Sequence, residues 1–291
     1  MQLHIHHRTT YQYASPVAFG PHRLLVRPRE SHGLRIVKSS IRLSPSHRFR
    51  WMRDPQENNV GLVDFTQSST ELVVDSECTV DSADRNPFDF VIPPEAVEYP
   101  FSYEPELLAE LLPLSLNLYA RDGNRIGRWL HPFWHPGKRT ETLPLLQRIN
   151  TAIFTTFTYR RRMEKGVQSP AETIENNSGS CRDFATLFVE TCRFLGLAAR
   201  FVSGYMHSAE IEGRMSMHGW AEVYLPGAGW IGFDPSWGLL ASAQYVPVAV
   251  SRHPEHVPPI SGTYFGTQRD FVRSTVDLYV TEIASPSPLS F

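Results

Sequence analysis

The apolar pattern changes from a strand period to a helical one partway along the chain, and that change most restricts the fold. In the first 84 residues Leu3, Ile5, His7, Thr9, Tyr11 and Tyr13 alternate with their neighbours, the period-2 signature of a half-buried strand. Further strands are expected at 23–27, 34–43, 60–66 and 71–80, separated by Pro, Gly, Ser and Asn clusters. Short strands at this spacing, with no helical period between them, predict an antiparallel β-sandwich over residues 1–84. Residues 85–100 carry Pro87, Pro93, Pro94 and Pro100 and are expected to form an extended linker. From Pro105 the period becomes helical. Leu107, Leu108, Leu111 and Leu112 recur at helical spacing, then Leu143, Leu146, Ile149 and Ile153. Ser169-Pro170-Ala171-Glu172 is a capping box with proline at the first helical position. Strand patterns return at 199–203, 221–225 and 230–233, with Pro226-Gly227-Ala228-Gly229 closing the last two into a hairpin. A last strand is expected at 276–283, and 285–288 is expected to fray. The chain reads as α+β, with a β domain at 1–84, a linker at 85–100 and a second domain at 101–291.

Charge and cysteine content narrow the function classes. The chain carries 28 Lys and Arg against 30 Asp and Glu, a net charge of −2. That balance supplies no global positive field, so neither a nucleic acid nor a membrane partner is expected. The N-terminus has no apolar signal stretch, and nowhere do about 18 apolar residues follow one another. The expected location is therefore cytoplasmic. Three cysteines, Cys78, Cys181 and Cys192, do not make a disulfide framework or a zinc-binding pair. Cys192 lies about 16 Å along a helix from Cys181, too far for a disulfide. Cys78 and Cys192 read as small hydrophobes in cores.

Cys181 is different. Ser180 is placed to cap a helix beginning at Cys181, with Asp183 set against its free amides and Gly196 as its stop. A thiol in the first turn of a helix is favoured as thiolate. Gly179 is expected to let substrate approach the sulfur. Downstream, His218 opens one strand of the hairpin and Asp234 ends the other. Opposed residues on adjacent strands lie ~5 Å apart, so Asp234 is expected to orient His218. Thiolate, imidazole and carboxylate in that order are the parts of cysteine acyl transfer.

The segments Gly179-Ser180-Cys181-Arg182-Asp183-Phe184-Ala185, 195–205, His218-Gly219-Trp220-Ala221-Glu222-Val223 and Gly229-Trp230-Ile231-Gly232-Phe233-Asp234-Pro235 resemble the bacterial transglutaminase-like cysteine protease family. Tyr11-Gln12-Tyr13-Ala14-Ser15-Pro16-Val17, 24–28 and 256–266 extend the resemblance over most of the chain. It implies a papain-like, transglutaminase-like catalytic domain in which the cysteine helix packs on an antiparallel sheet. It also implies Cys181 as nucleophile, His218 as general base and then acid, and Asp234 as orienter. The sequence departs from the family at Arg182, Thr186 and Gly219, where glutamine, histidine and alanine are usual, and at 251–253.

The expected reaction is attack of Cys181 on an amide or peptide carbonyl, giving a thioester. The Cys181 backbone amide, Tyr159 and Gln168 are the candidate oxyanion donors. Hydrolysis of a protein or peptide substrate is preferred, because no calcium-loop pattern appears. Transglutamination, a non-catalytic binding protein on the same fold and a metal-dependent hydrolase are the alternatives. No cofactor is expected. The pairs His4 and His6, and His131 and His135, lack the carboxylate of a metal motif, so no metal is assigned. Arg160-Arg161-Arg162 reads as a solvated face, or else as a contact for an acidic substrate. Trp220, Trp230 and Trp237 are expected to shield the His–Asp pair.

Overall fold

The computed structural model describes residues 1–83, 86–162, 164–208 and 217–283; the 285–288 stretch lies outside them. The predicted alternation becomes one long strand, β1 (Gln2–Phe19), whose side chains Leu3, Ile5, His7, Thr9, Tyr13, Val17 and Phe19 are buried on one face. β2 (His22–Leu24), β3 (Leu34–Ser44), β4 (His47–Arg53), β5 (Asn59–Phe65) and β6 (Ser69–Ser82) follow. They pair antiparallel as β1–β6–β3 in one sheet and β2–β5–β4 in another. Tyr13, Val17 and Phe19 of β1 pack with Leu24, Val63, Leu72 and Val74 between the two sheets.

Helices then form where the 3.6-residue period begins: α1 (Pro105–Ser115), α2 (Gly123–Leu130), α3 (Thr142–Thr156), α4 (Pro170–Asn176) and α5 (Cys181–Phe194). The capping box at α4 is present, with Ser169 Oγ accepting from the Glu172 amide at 3.2 Å and Glu172 accepting from the Ser169 amide at 2.7 Å. β7 (Ala199–Met206), β8 (His218–Leu225), β9 (Gly229–Asp234) and β10 (Tyr245–Ser251) make an antiparallel sheet in the order β9–β8–β7–β10. Phe184, Leu187, Phe188 and Cys192 of α5 bury against Ala199, Ala221, Val223 and Phe233 of this sheet.

Two features differ from the sequence expectation. The proline-rich segment is not a free linker: it contains a helical turn at Pro94–Val97, and Tyr99 is buried in the helical core with its hydroxyl donating to the Leu195 carbonyl at 2.7 Å. The last strand, β11 (Phe271–Ile283), returns to the first sheet and pairs with β1 over the register Gln2↔Ile283 to Tyr13↔Phe271. The chain end beyond the helices thus completes the N-terminal sheet.

The two parts share a core. Leu3, Ile5, Cys78, Val80, Leu278 and Val280 of the first sheet pack on Ala185, Phe201, Tyr205, Val246, Val248 and Ala249 of the second part. One face of β1 is therefore covered in two halves, by the β7–β10 sheet and α5 near residues 3–9 and by the second β-sheet near 13–19. Buried Asn58 ties the parts together, donating to the Val250 carbonyl at 2.9 Å and accepting from its amide at 2.8 Å. Asn58→Ala leaves two buried backbone groups unpaired, so a loss of about 2–4 kcal/mol is expected in urea titration. The expected transition remains single, because both parts depend on that contact.

Candidate active site

The N-terminus of α5 is built around a buried carboxylate. Asp183 accepts from the Ser180 amide at 2.8 Å, the Ser180 hydroxyl at 2.7 Å, the Gln168 amide at 2.8 Å and Arg162 Nη1 at 2.7 Å. Burial alone would raise its pKa, but these donors hold it below the ordinary carboxylate range. Gly179 is needed here for packing rather than for substrate approach. A Cβ on Gly179 would lie 2.9 Å from Asp183 Cβ and 3.1 Å from Phe184 Cε1. Tyr159 is brought in by a short parallel ladder, Thr158↔Ser178 and Tyr159↔Gly179, extended by the Arg160 amide donating to the Gly179 carbonyl at 2.8 Å.

His218 and Asp234 come from the hairpin, but not as an opposed pair. The register Ala221↔Phe233 places Asp234 opposite Trp220, so His218 is its diagonal neighbour. The imidazole spans that longer gap, and His218 Nε2 lies 2.6 Å from Asp234 Oδ2. Asp234 is buried and fully occupied: Tyr245 Oη donates to Oδ2 at 2.9 Å, while the Ser236 amide and hydroxyl donate to Oδ1 at 2.9 and 2.6 Å. No sequence motif marks Tyr245 or Ser236. The tyrosine, at the start of β10, reaches the pair across the sheet beside the His218 and Trp220 rings, 6.2 and 5.3 Å from them between centroids.

His218, the Gly219 amide and the Tyr159 hydroxyl are the groups that act on the Cys181 sulfur. Burial would raise the thiol's pKa, yet the His218 hydrogen bond and charge bring it below its usual value. Burial likewise disfavours the imidazolium, but Asp234 and Cys181 raise His218 to about 10. Both directions favour the charged forms of the pair. Tyr159 keeps its proton, through burial and then the neighbouring sulfur, and is a donor. Gln168 is directed elsewhere: its Nε2 donates to the Ser178 carbonyl at 3.0 Å and its Oε1 accepts from Asn176 at 2.6 Å. It lines neither cavity at Cys181, and its role is to position the loop that feeds α5.

Cys181 is half-buried and lies where two cavities meet. The larger, about 500 Å³, is lined by Phe201, Ser203, Met217, His218, Gly219 and a wall from Pro254 to Pro259. The smaller, about 270 Å³, is lined by Tyr159, Arg161, Arg162 and Ser180 on one side and by His7, Thr9 and Tyr11 on the other. Arg160 and Arg161 of the arginine run are exposed, as a solvated face would be, while Arg161 and Arg162 also line this cavity. Arg162 is paired with Asp183, and Arg182 Nη2 donates to the Glu164 carbonyl at 2.7 Å, anchoring the run beside the sulfur. Gly219 also has a structural cause, since a Cβ there would lie 2.7 Å from the Phe201 ring. Of the three tryptophans, Trp220 stacks on His218 with centroids 6.1 Å apart and Trp237 packs against the same cluster. Trp230 sits at the far end of the hairpin under Arg200, 3.9 Å from its guanidinium carbon.

Two measurements test this arrangement. Asp183→Ala strips four donors of their acceptor, so a loss of about 3 kcal/mol or more is expected, with slower alkylation of Cys181. Iodoacetamide at pH 6 is expected to label Cys181 ahead of Cys78 and Cys192, with the advantage lost in His218→Ala; equal labelling of all three thiols would sink the thiolate assignment. The sign for stability also follows. His218 holds its proton more tightly in the folded chain, so its contribution is complete below its ordinary value of 6.5 and is lost as pH rises through about 10.

Residues 3–81 match the bacterial transglutaminase-like N-terminal region, and residues 136–235 match the transglutaminase-like superfamily. An uncharacterized protein of Mycobacterium tuberculosis is 26% identical over 292 residues, covering 94% of this chain and 90% of its own. One from Mycobacterium leprae is 23% identical over 291 residues, covering 91% and 94%. The crystal structure of a candidate cysteine protease from Cytophaga hutchinsonii has a TM-score of 0.73 at 20% identity, over 98% of this chain and 92% of that one, and so shares the fold. The chain therefore joins a bacterial transglutaminase-like N-terminal region to a core of the transglutaminase-like superfamily.

Proposed function

We propose that the protein is a cysteine-dependent acyl transferase that cleaves an amide or peptide bond through a thioester on Cys181. The observation that carries this reading is the unbroken line from Asp234 through His218 to a sulfur open to two cavities. The Cys181 thiolate attacks the carbonyl carbon, and the developing oxyanion is received by the Cys181 amide and the Tyr159 hydroxyl. With Nε2 held by Asp234, the other ring nitrogen of His218 gives its proton to the leaving amine. His218 then takes a proton from the incoming acceptor, the thioester opens and the thiolate returns. Water is the acceptor in this reading, because the half-buried sulfur stands at the floor of open cavities.

Mass spectrometry of the protein mixed with a proteome digest is the test. A peptide acyl adduct on Cys181 is expected, discharged by water over time and absent from Cys181→Ala. Accumulation of an isopeptide product when a primary amine is added would instead assign transglutamination. Turnover without any dependence on Cys181 would overturn the reading. Asp234→Ala is expected to lower kcat/KM by about 10²–10⁴-fold while leaving the chain folded, because the carboxylate fixes the imidazole for proton transfer. Tyr159→Phe is expected to cost about 10²-fold in kcat as an oxyanion donor.

A further inference from the structure

The geometry points to a substrate subsite shared by the two parts of the chain, in which strand β1 and the 159–162 segment bind an acidic peptide on the acyl side of the cleaved bond. This rests on the acyl-transfer reading for the direction in which the substrate lies. The leaving amine must stand within reach of His218, whose ring lines the larger cavity. The acyl side then extends into the smaller cavity, which has Tyr159, Ser180 and Cys181 in its wall but not His218.

The chemistry of that smaller cavity is one-sided. Arg161, Arg162 and Arg182 line it, and no aspartate or glutamate does so among the described residues. Arg162 is committed to Asp183, and Arg182 donates to the carbonyls of Arg162 and Glu164 at 3.3 and 2.7 Å. Arg161 has no carboxylate partner among the described residues, and its charge acts on the Tyr159 hydroxyl. A guanidinium so placed beside the nucleophile suits a substrate carboxylate. The chain's overall charge of −2 does not supply this preference; it is local to the cleft.

The opposite wall gives the other half of the recognition. Tyr205 Oη donates to the Val26 carbonyl at 3.2 Å, so it must accept from His7 Nδ1, 3.0 Å away. His7 Nε2 is then the acceptor for the Thr9 hydroxyl at 3.2 Å. Burial lowers His7 to about 4, which keeps the ring neutral for this relay. With its proton committed to His7, Thr9 Oγ1 has only lone pairs to present at the cavity. Thr9 therefore accepts a donor, and a peptide N–H is the group a neighbouring extended substrate brings. Arg161 reads side-chain charge, while Thr9 reads backbone.

Equilibrium binding to the Cys181→Ala protein tests the subsite without requiring turnover. The probes are two fluorescein-labelled octapeptide pools, randomised except that every second residue is Glu in one and Gln in the other. The Glu pool is expected to bind about tenfold more tightly. Arg161→Gln on the same background is expected to abolish that preference, whereas Arg35→Gln on the remote strand β3 leaves it intact. Thr9→Val is expected to weaken both pools together. Equal binding of the pools, no binding of either, or a preference that survives Arg161→Gln would overturn the acidic assignment. Loss of the preference in Arg35→Gln would also overturn it, by reducing it to a diffuse charge effect. An unchanged affinity in Thr9→Val would remove β1 from the site. A wild-type protein that binds as expected but forms no Cys181 adduct would instead count against the acyl-transfer reading alone.

Discussion

Asp183 is a carboxylate with no exposed surface, and much of the site depends on how it is satisfied. Left alone in that position it would take up a proton or pull the helix end apart. Four donors from residues 162, 168 and 180 converge on it instead. Each donor fixes something different. Ser180 sets where α5 begins and so where the Cys181 amide points. Gln168 sets the loop before the helix, and Arg162 draws the arginine-bearing segment against the sulfur. One carboxylate thus places Cys181, its backbone amide and the cleft wall together.

The second constraint is the length of β1. Its 18 residues exceed what the second β-sheet covers, since that sheet packs only around Tyr13, Val17 and Phe19. The remaining buried face must find another partner, and α5 and the β7–β10 sheet supply it through Ala185, Phe201 and Tyr205. His7 and Thr9 lie where that contact ends and the cleft opens. A buried polar relay in such a place stays paired only if both parts remain docked, as His7 depends on Tyr205 across the junction. The N-terminal sheet is consequently part of the site, not an appendage to it.

Local regularities carried most of the fold, and their limits are instructive. The alternation from Leu3 to Tyr13, the Ser169 capping box and the Gly196 stop are short-range signals, and all three are present in the structure. Cys181 and His218 line one cavity and His218 pairs with Asp234, so the three residues read in order from the sequence lie together. What the sequence left unread is long-range. β11 pairing with β1 joins residues more than 250 apart, and its alternation contains nothing that names the partner strand. Tyr245 and Ser236 complete Asp234 only after the sheet has formed. Gly179 and Gly219 look like concessions to substrate from sequence, whereas the atoms that forbid a Cβ are the protein's own. Gln168 was a reasonable oxyanion donor by position, but its amide is consumed by Ser178 and Asn176.

The three cysteines show why burial and reactivity must be separated. Cys78 sits in the shared core, where desolvation raises its thiol to about 11. Cys192, fully buried on α5, is also pushed up by desolvation, and the neighbouring Arg193 charge only partly opposes it. That arginine is paired with Glu190 at 2.6 Å, which weakens its hold on the sulfur. Cys181 experiences desolvation as well, yet its pKa falls. The difference is His218, whose positive charge is maintained by Asp234 and is directed at the sulfur. What sets the Cys181 surroundings apart from those of Cys78 and Cys192 is the neighbouring His218, paired with Asp234. The lowering at Cys181 therefore depends on the sheet that carries His218 as much as on the helix that carries the sulfur.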